Sequence, residues 1–167
     1  LNRCNRSGII MNGGPIGGIR QKGKWKLNAR FNKTELIRRC KKLAEYRERI
    51  HISGRDGIKF IEGQNSDSTF YFIDPPYFNK GKTLYLNALD EDYHVALGAR
   101  LESMRDAAWV LTYDDCPEIH RIYQGWTSIR PFSLRYAAAE RRSGKEVMIT
   151  PKWMRLPTSQ ASAAITW

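Results

Sequence analysis

Phe70-Tyr71-Phe72-Ile73-Asp74-Pro75-Pro76-Tyr77 is the stretch from which the rest of the chain can be read. Its first four residues are a short, continuous, β-prone apolar run, the pattern of a strand buried on both faces. The run stops at two prolines, which have no N–H and cannot continue a ladder. A second run of this kind, residues 107–113 (Ala-Ala-Trp-Val-Leu-Thr-Tyr), ends at Asp114-Asp115. Between the two, Asp90-Glu91-Asp92 opens a helix, where carboxylates favour the positive dipole end, and Tyr93, Leu97, Leu101 and Met104 supply its apolar positions. Upstream, Asn32-Lys33-Thr34-Glu35 predicts a helix start, with Asn32 capping and Glu35 reaching back. Leu36, Ile37, Cys40, Leu43, Ala44 and Ile50 then recur at helical spacing. His51-Ile52-Ser53 reads as a short strand, followed by a loop at 54–57 and a helical segment at 58–62. Downstream, a short helix near Pro117–Tyr123 precedes two late strands, 126–134 and 145–150, read as an antiparallel hairpin. Helix alternating with buried strand predicts an α/β fold with a largely parallel sheet. Ligands in such sheets bind beyond the carboxyl ends of the strands, where Asp74 and Asp114 fall, and Asp56 is a third candidate.

Composition bounds the remainder. The 167 residues amount to about one domain, and no run approaches the roughly 18 apolar residues of a membrane span. No charged-then-apolar leader opens the chain, so secretion is not expected. Cys4, Cys40 and Cys116 form no CxxC pair; this argues against a disulfide framework or a zinc site and suits a reducing cytoplasm. No metal is expected. The net charge of +11 is unevenly spread: residues 1–55 hold 15 Lys and Arg against three Glu, and residues 56–167 hold 13 against 14 acids. Arg3, Arg6, Arg20, Lys22, Lys24, Lys26, Arg30 and Lys33 occur in the first 33 residues without one acid. Such a segment attracts a polyanion and releases a counterion for each phosphate neutralised, which points to nucleic acid. The cations do not lie along an amphipathic helix, so a membrane surface is not favoured. Residues 1–28 read as irregular or hairpin structure around Asn12-Gly13-Gly14-Pro15 and Gly17-Gly18, and residues 22–27 (Lys-Gly-Lys-Trp-Lys-Leu) alternate as a strand would.

The Asp74-Pro75-Pro76-Tyr77 corner carries the chemistry. It is rich in rigidly held carbonyl oxygens and poor in donors, Asp74 adds an ionised acceptor, and Tyr77 adds a flat face. Acceptors beside an aromatic ring suit a planar molecule with an exocyclic NH₂. Bonds from the two amino hydrogens to the Asp74 carboxylate and the Pro75 carbonyl would turn the nitrogen toward tetrahedral and free its lone pair, while Tyr77 stacks on the ring. The competing reading is a structural Asp-Pro turn that closes a strand.

These residues resemble the (Asp/Asn/Ser)-Pro-Pro-(Tyr/Phe/Trp) motif of amino-group methyltransferases that use S-adenosyl-L-methionine. More narrowly, the chain resembles the Dam-type class of adenine-specific DNA methyltransferases. That match rests on Leu1-Asn2-Arg3 with Gly8, the helix after Phe31-Asn32, Phe72 to Phe78, Leu84-Tyr85, Val110 to Asp115, and Arg135-Tyr136 with Gly144-Lys145-Glu146-Val147. The resemblance implies a partial Rossmann-like methyltransferase sheet with a late antiparallel hairpin, preceded by a basic hairpin or irregular recognition segment. It implies Asp74, Pro75, Pro76 and Tyr77 as catalytic residues acting on an adenine flipped from duplex DNA. Asp56 and Asp74 would contact the cofactor. Asn2, Arg3, Arg6, Lys22, Lys24, Lys26 and Lys145 would contact DNA, with Arg135, Arg141 and Arg142 as further phosphate partners. Asp114 reads rather as an acid capping the next helix. Related enzymes act on cytosine, RNA or protein glutamine, so an RNA or protein substrate stays open, as does a catalytically inactive DNA-binding remnant.

The sequence departs from the family at one point. The family's Phe-x-Gly-x-Gly loop, which holds the methionine part of the cofactor, follows no strand here, and residues 13–18 read instead as a hairpin loop. The expectation is a natural protein extending about 100 residues before Leu1. The expected organisation is 1–33 as part of the target-recognition region, 34–155 as the C-terminal part of the catalytic domain, and 156–167 as a tail.

Overall fold

The computed structural model describes residues 3–5, 13–64, 66–79, 81, 89–135 and 143–155. Helix α1 (Lys33–Ala44) is followed by a 3₁₀ turn at Arg47–Arg49, helix α2 (Gly57–Glu62), strand β1 (Phe70–Ile73), helix α3 (Glu91–Ser103), strand β2 (Ala108–Asp114), helix α4 (Pro117–Tyr123), and strands β3 (Thr127–Arg135) and β4 (Ser143–Pro151). The strands form one sheet in the order β1-β2-β4-β3. Only β1 and β2 are parallel, joined by a connection that includes α3; β2–β4 and β3–β4 are antiparallel. The chain is α/β with a mixed sheet, compatible with a partial Rossmann-like fold. The late hairpin is present, but the largely parallel sheet is not. A crossover long enough to return a strand in parallel exists between β1 and β2, whereas β3 and β4 pair as a hairpin, which is antiparallel by construction.

The register sorts the side chains between two faces. Tyr71, Ile73, Trp109, Leu111, Tyr113, Val147 and Ile149 share one face and form the core with Leu97 and Leu101 of α3 and Ile119 and Tyr123 of α4. Asp90 caps α3 by accepting from the Tyr93 amide at 2.9 Å, and Pro117 opens α4, where a missing N–H costs nothing. The two helices meet at Gly98, where a Cβ would lie 2.3 Å from Ile122 Cγ2. Phe72, Val110, Thr112, Asp114, Glu146 and Met148 share the opposite face.

Three expectations fail in instructive ways. The run at 70–73 is a strand with the expected bounds, but β1 is the sheet's edge, leaving Phe70 60% and Phe72 66% exposed. Helix α1 begins where its cap predicts, with Asn32 Oδ1 accepting from the Glu35 amide at 3.0 Å. The Glu35 carboxylate binds Arg38 and Arg39 instead of reaching back, the helix ends at Ala44, and none of its apolar stripe is buried. Residues 51–53 and 22–27 form no strand, because no neighbouring strand completes their hydrogen bonds; Ile52 is 93% exposed. From Lys22 to Gly57 every residue is exposed except Glu35 and Leu36, so this basic third adds nothing to the core. Before it lie an antiparallel bridge, Asn5 with Pro15, and a glycine turn in which Gly14, Gly17 and Gly18 take positive φ. Among the described residues no helix is long and apolar enough to cross a membrane.

Candidate active site

Strand β1 ends at Ile73, opposite Leu111 of β2, so Asp74 falls beside Thr112. The Thr112 hydroxyl donates to Asp74 Oδ1 at 2.6 Å. That bond turns the carboxylate while Asp74 stays exposed, and Oδ2 has no partner among the described residues. Pro75 and Pro76 end the ladder, and the chain then folds back over the end of β2. Both oxygens of Asp114 receive backbone donors there, Phe78 N–H at Oδ1 and Asn79 N–H at Oδ2, each at 3.0 Å. Asp114 is therefore a clamp on this loop and not a helix cap; α4 has Cys116 at its cap position. The Tyr77 hydroxyl donates to Glu146 Oε2 of β4 at 2.8 Å. Three side chains on β2 and β4 thus hold the loop of residues 74–79, and two of them, Asp114 and Glu146, are carboxylates 5% and 0% exposed.

A cleft of about 710 Å³ runs along β1 and past its end, with Asp56, Phe60, Tyr71, Asp74, Pro75 and Tyr93 among its walls. The structure brings Asp56, Asp74, Pro75 and Pro76 to this one cavity. It does not bring Tyr77, whose side chain turns toward β4. Asp56 is the N-cap of α2 and accepts from the Lys59 amide at 3.1 Å. That amide, and then the Tyr93 hydroxyl and the Ile58 amide, hold its carboxyl below the usual range. Burial, and then Asp56, push the Tyr93 phenol upward. A larger cavity of about 800 Å³ lies at the other end of the strands, between Thr69, Arg100, Asp106 and Trp153, away from the proline corner.

The cation candidates stand apart from this cleft. Arg3, Lys22, Lys24, Lys26 and Lys145 are all exposed, and none lines the cleft. Lys24 lies over the Trp25 ring, 5.7 Å from its centroid, Lys26 donates to the Gln21 carbonyl, and Lys22 borders a glycine-lined hollow of about 470 Å³. Asn2, Arg6, Leu84-Tyr85, Arg141 and Arg142 lie outside the described residues, as does the side chain of Arg135.

The cleft suits the nucleoside and cationic parts of S-adenosylmethionine. It offers two carboxylates to donors, and Phe60 and Phe72 as apolar walls. Its volume lies within the roughly 300–1,000 Å³ usual for small-molecule sites. Among the described residues, none of those lining it is a Lys or Arg.

Sequence reasoning left Thr112, Glu146 and Tyr93 without a role. The available signal was polarity: Thr112 interrupts the apolar run 107–113, and Glu146 stands beside Val147, Met148 and Ile149. No family model matches the chain, and no curated protein matches it.

Proposed function

We propose that the chain is the catalytic part of a DNA adenine methyltransferase, acting on the exocyclic amino group of a flipped adenine. One observation carries the reading: Asp74 stands exposed at the end of β1, turned by Thr112, and lines the same cleft as Pro75 and Asp56. Asp74 Oδ2 and the Pro75 carbonyl are the acceptors for the two amino hydrogens, and proline's missing N–H keeps competing donors away from the corner. Accepting both hydrogens localises the lone pair on nitrogen, and the clamped loop keeps those acceptors in place without reorganisation. Bound S-adenosylmethionine would supply an electrophilic methyl group, with Asp56 and Asp74 as its contacts in the cleft. The exposed cations at Arg3, Lys22, Lys24, Lys26 and Lys145 supply phosphate attraction whose strength falls with salt.

The test is transfer of labelled methyl groups from S-adenosylmethionine to unmethylated duplex DNA, with RNA and peptide as competing substrates. Asp74→Ala should lower the rate by about 10²–10³-fold, as loss of one charge-stabilising group does. Full activity in that variant refutes the role given to the carboxylate. A second reading, a DNA-binding remnant, draws on the exposed cations Arg3, Lys22, Lys24, Lys26 and Lys145, which stand apart from the cleft. It requires salt-dependent DNA binding with no calorimetric signal for S-adenosylmethionine.

A further inference from the structure

We propose that the cavity beside the starts of β1 and β2 is a second ligand site, built to take a nucleoside monophosphate. It does not depend on the methyl-transfer reading, for it lies away from the proline corner. Its volume is about 800 Å³, within the roughly 300–1,000 Å³ usual for small-molecule sites. Arg100 and Ser103 stand three positions apart on α3, hence on one side of the helix, and both line the cavity. Arg100 Nη1 donates to Ser103 Oγ at 3.3 Å, and that hydroxyl donates to the Arg100 carbonyl at 2.7 Å, so one corner of the guanidinium is held. Arg100 Nε is buried without a partner. Among the described residues no carboxylate pairs with this guanidinium, although Asp67 and Asp106 line the same cavity. What results is a half-buried cation whose charge no neighbouring side chain answers. Withdrawing such a charge from water is costly without a partner, and its planar fork of donors matches the oxygens of a phosphate.

The other walls define what the phosphate is attached to. Trp153 follows β4, and its indole N–H donates to the Arg105 carbonyl at 2.9 Å, 48 residues away in the chain. That bond engages the one polar atom of the ring and fixes its place, while the residue stays 54% exposed. Phe70, at the start of edge strand β1, lines the same cavity and is exposed as well. Two open aromatic rings near a cation suit a nucleobase, which stacks on such a face whatever its hydrogen-bonding edge. Asp67 and Asp106 add exposed carboxylates, acceptors for sugar hydroxyls or a base amino group. The same charges limit the number of phosphates. Among the described lining residues Arg100 is the one cation, against two carboxylates. A di- or triphosphate would therefore bring further negative charge toward Asp67 and Asp106 with no cation to offset it. A base, a sugar and one phosphate are what these walls accommodate.

The test is calorimetric titration of the 167-residue chain with adenosine monophosphate, adenosine, inorganic phosphate and adenosine triphosphate. The indole N–H resonance of Trp153, assigned by its loss in Trp153→Phe, is followed in parallel. The monophosphate should bind and move that resonance. Arg100→Gln should weaken its binding by about 10- to 100-fold, the loss of a hydrogen bond between charged groups. Trp153→Ala should weaken it by roughly tenfold, the loss of one stacking face. Adenosine and inorganic phosphate should each bind more weakly than the monophosphate, and the triphosphate no more tightly. A monophosphate that gives no heat and leaves the Trp153 resonance in place overturns the proposal. Binding that Arg100→Gln and Trp153→Ala both leave intact overturns it too, because the nucleotide then sits elsewhere, as in the cleft at the proline corner. A triphosphate that binds more tightly than the monophosphate overturns the assignment of a single phosphate. Should Arg100→Gln fail to fold, Trp153→Ala and the wild-type resonance decide the matter, since Trp153 is exposed and its truncation opens no cavity in the core.

Discussion

Asp114→Asn removes one of the two oxygens that hold the backbone of residues 78–79 and puts an NH₂ group against a backbone N–H. In the native chain each oxygen receives one amide at 3.0 Å, and the residue is 5% exposed, so water cannot replace the lost acceptor without opening the loop. A hydrogen bond to a charged group contributes about 1.5–3 kcal/mol and a neutral one about 0.5–1.5. Losing one charged bond outright and weakening the other therefore costs about 2–4 kcal/mol. With a mid-range m-value of about 2 kcal/mol/M, the urea midpoint should fall by roughly 1–2 M, read by tyrosine and tryptophan fluorescence. Amide exchange reports locally: protection at Phe78 and Asn79 should drop by roughly 30- to 1,000-fold, since about 1.4 kcal/mol is tenfold. Equal protection at both amides in Asp114→Asn and wild type would refute the clamp, whatever the midpoint does.

Two further perturbations probe other parts of the fold. Gly98→Ala would gain about 1 kcal/mol from helix propensity in isolation. Here its Cβ meets Ile122 Cγ2 at 2.3 Å, so a net loss of about 1–3 kcal/mol is expected from overpacking. Repeating the change in an Ile122→Ala background should reverse its sign, measured by denaturant titration of the four chains. In α1, side-chain bonds from Arg38 and then Arg39 pull the Glu35 carboxyl from 4.5 down to about 2. A depressed carboxylate supports the folded helix in full above its unfolded value and loses that support as pH falls through the folded one. Helicity at 222 nm should therefore decline between pH 4.5 and about 2 in a step that Glu35→Gln lacks, and that added salt flattens because both arginines are exposed and Glu35 is partly so.

Local chemistry alone located most elements. The caps at Asn32 and Asp90, the proline opening α4 and the prolines closing β1 each act within a turn or two of chain, so residue type suffices to place them. The proline corner was legible as the end of β1 for the same reason. Pairing was not legible. Whether the apolar run at 70–73 is central or at an edge depends on which strand lies beside it, and the order β1-β2-β4-β3 is a property of the whole sheet. Periodicity found helix α1 but could not say that its apolar stripe would meet nothing, since spacing records a face and not a neighbour. The clamp was invisible for the most direct reason: Thr112, Asp114 and Glu146 reach the loop from 35 to 69 residues away. Residue types determined that this corner is rigid and rich in acceptors; only the pairing of β1 with β2 and of β2 with β4 decided what holds it still, because contacts between strands are made through space and leave no spacing in the chain.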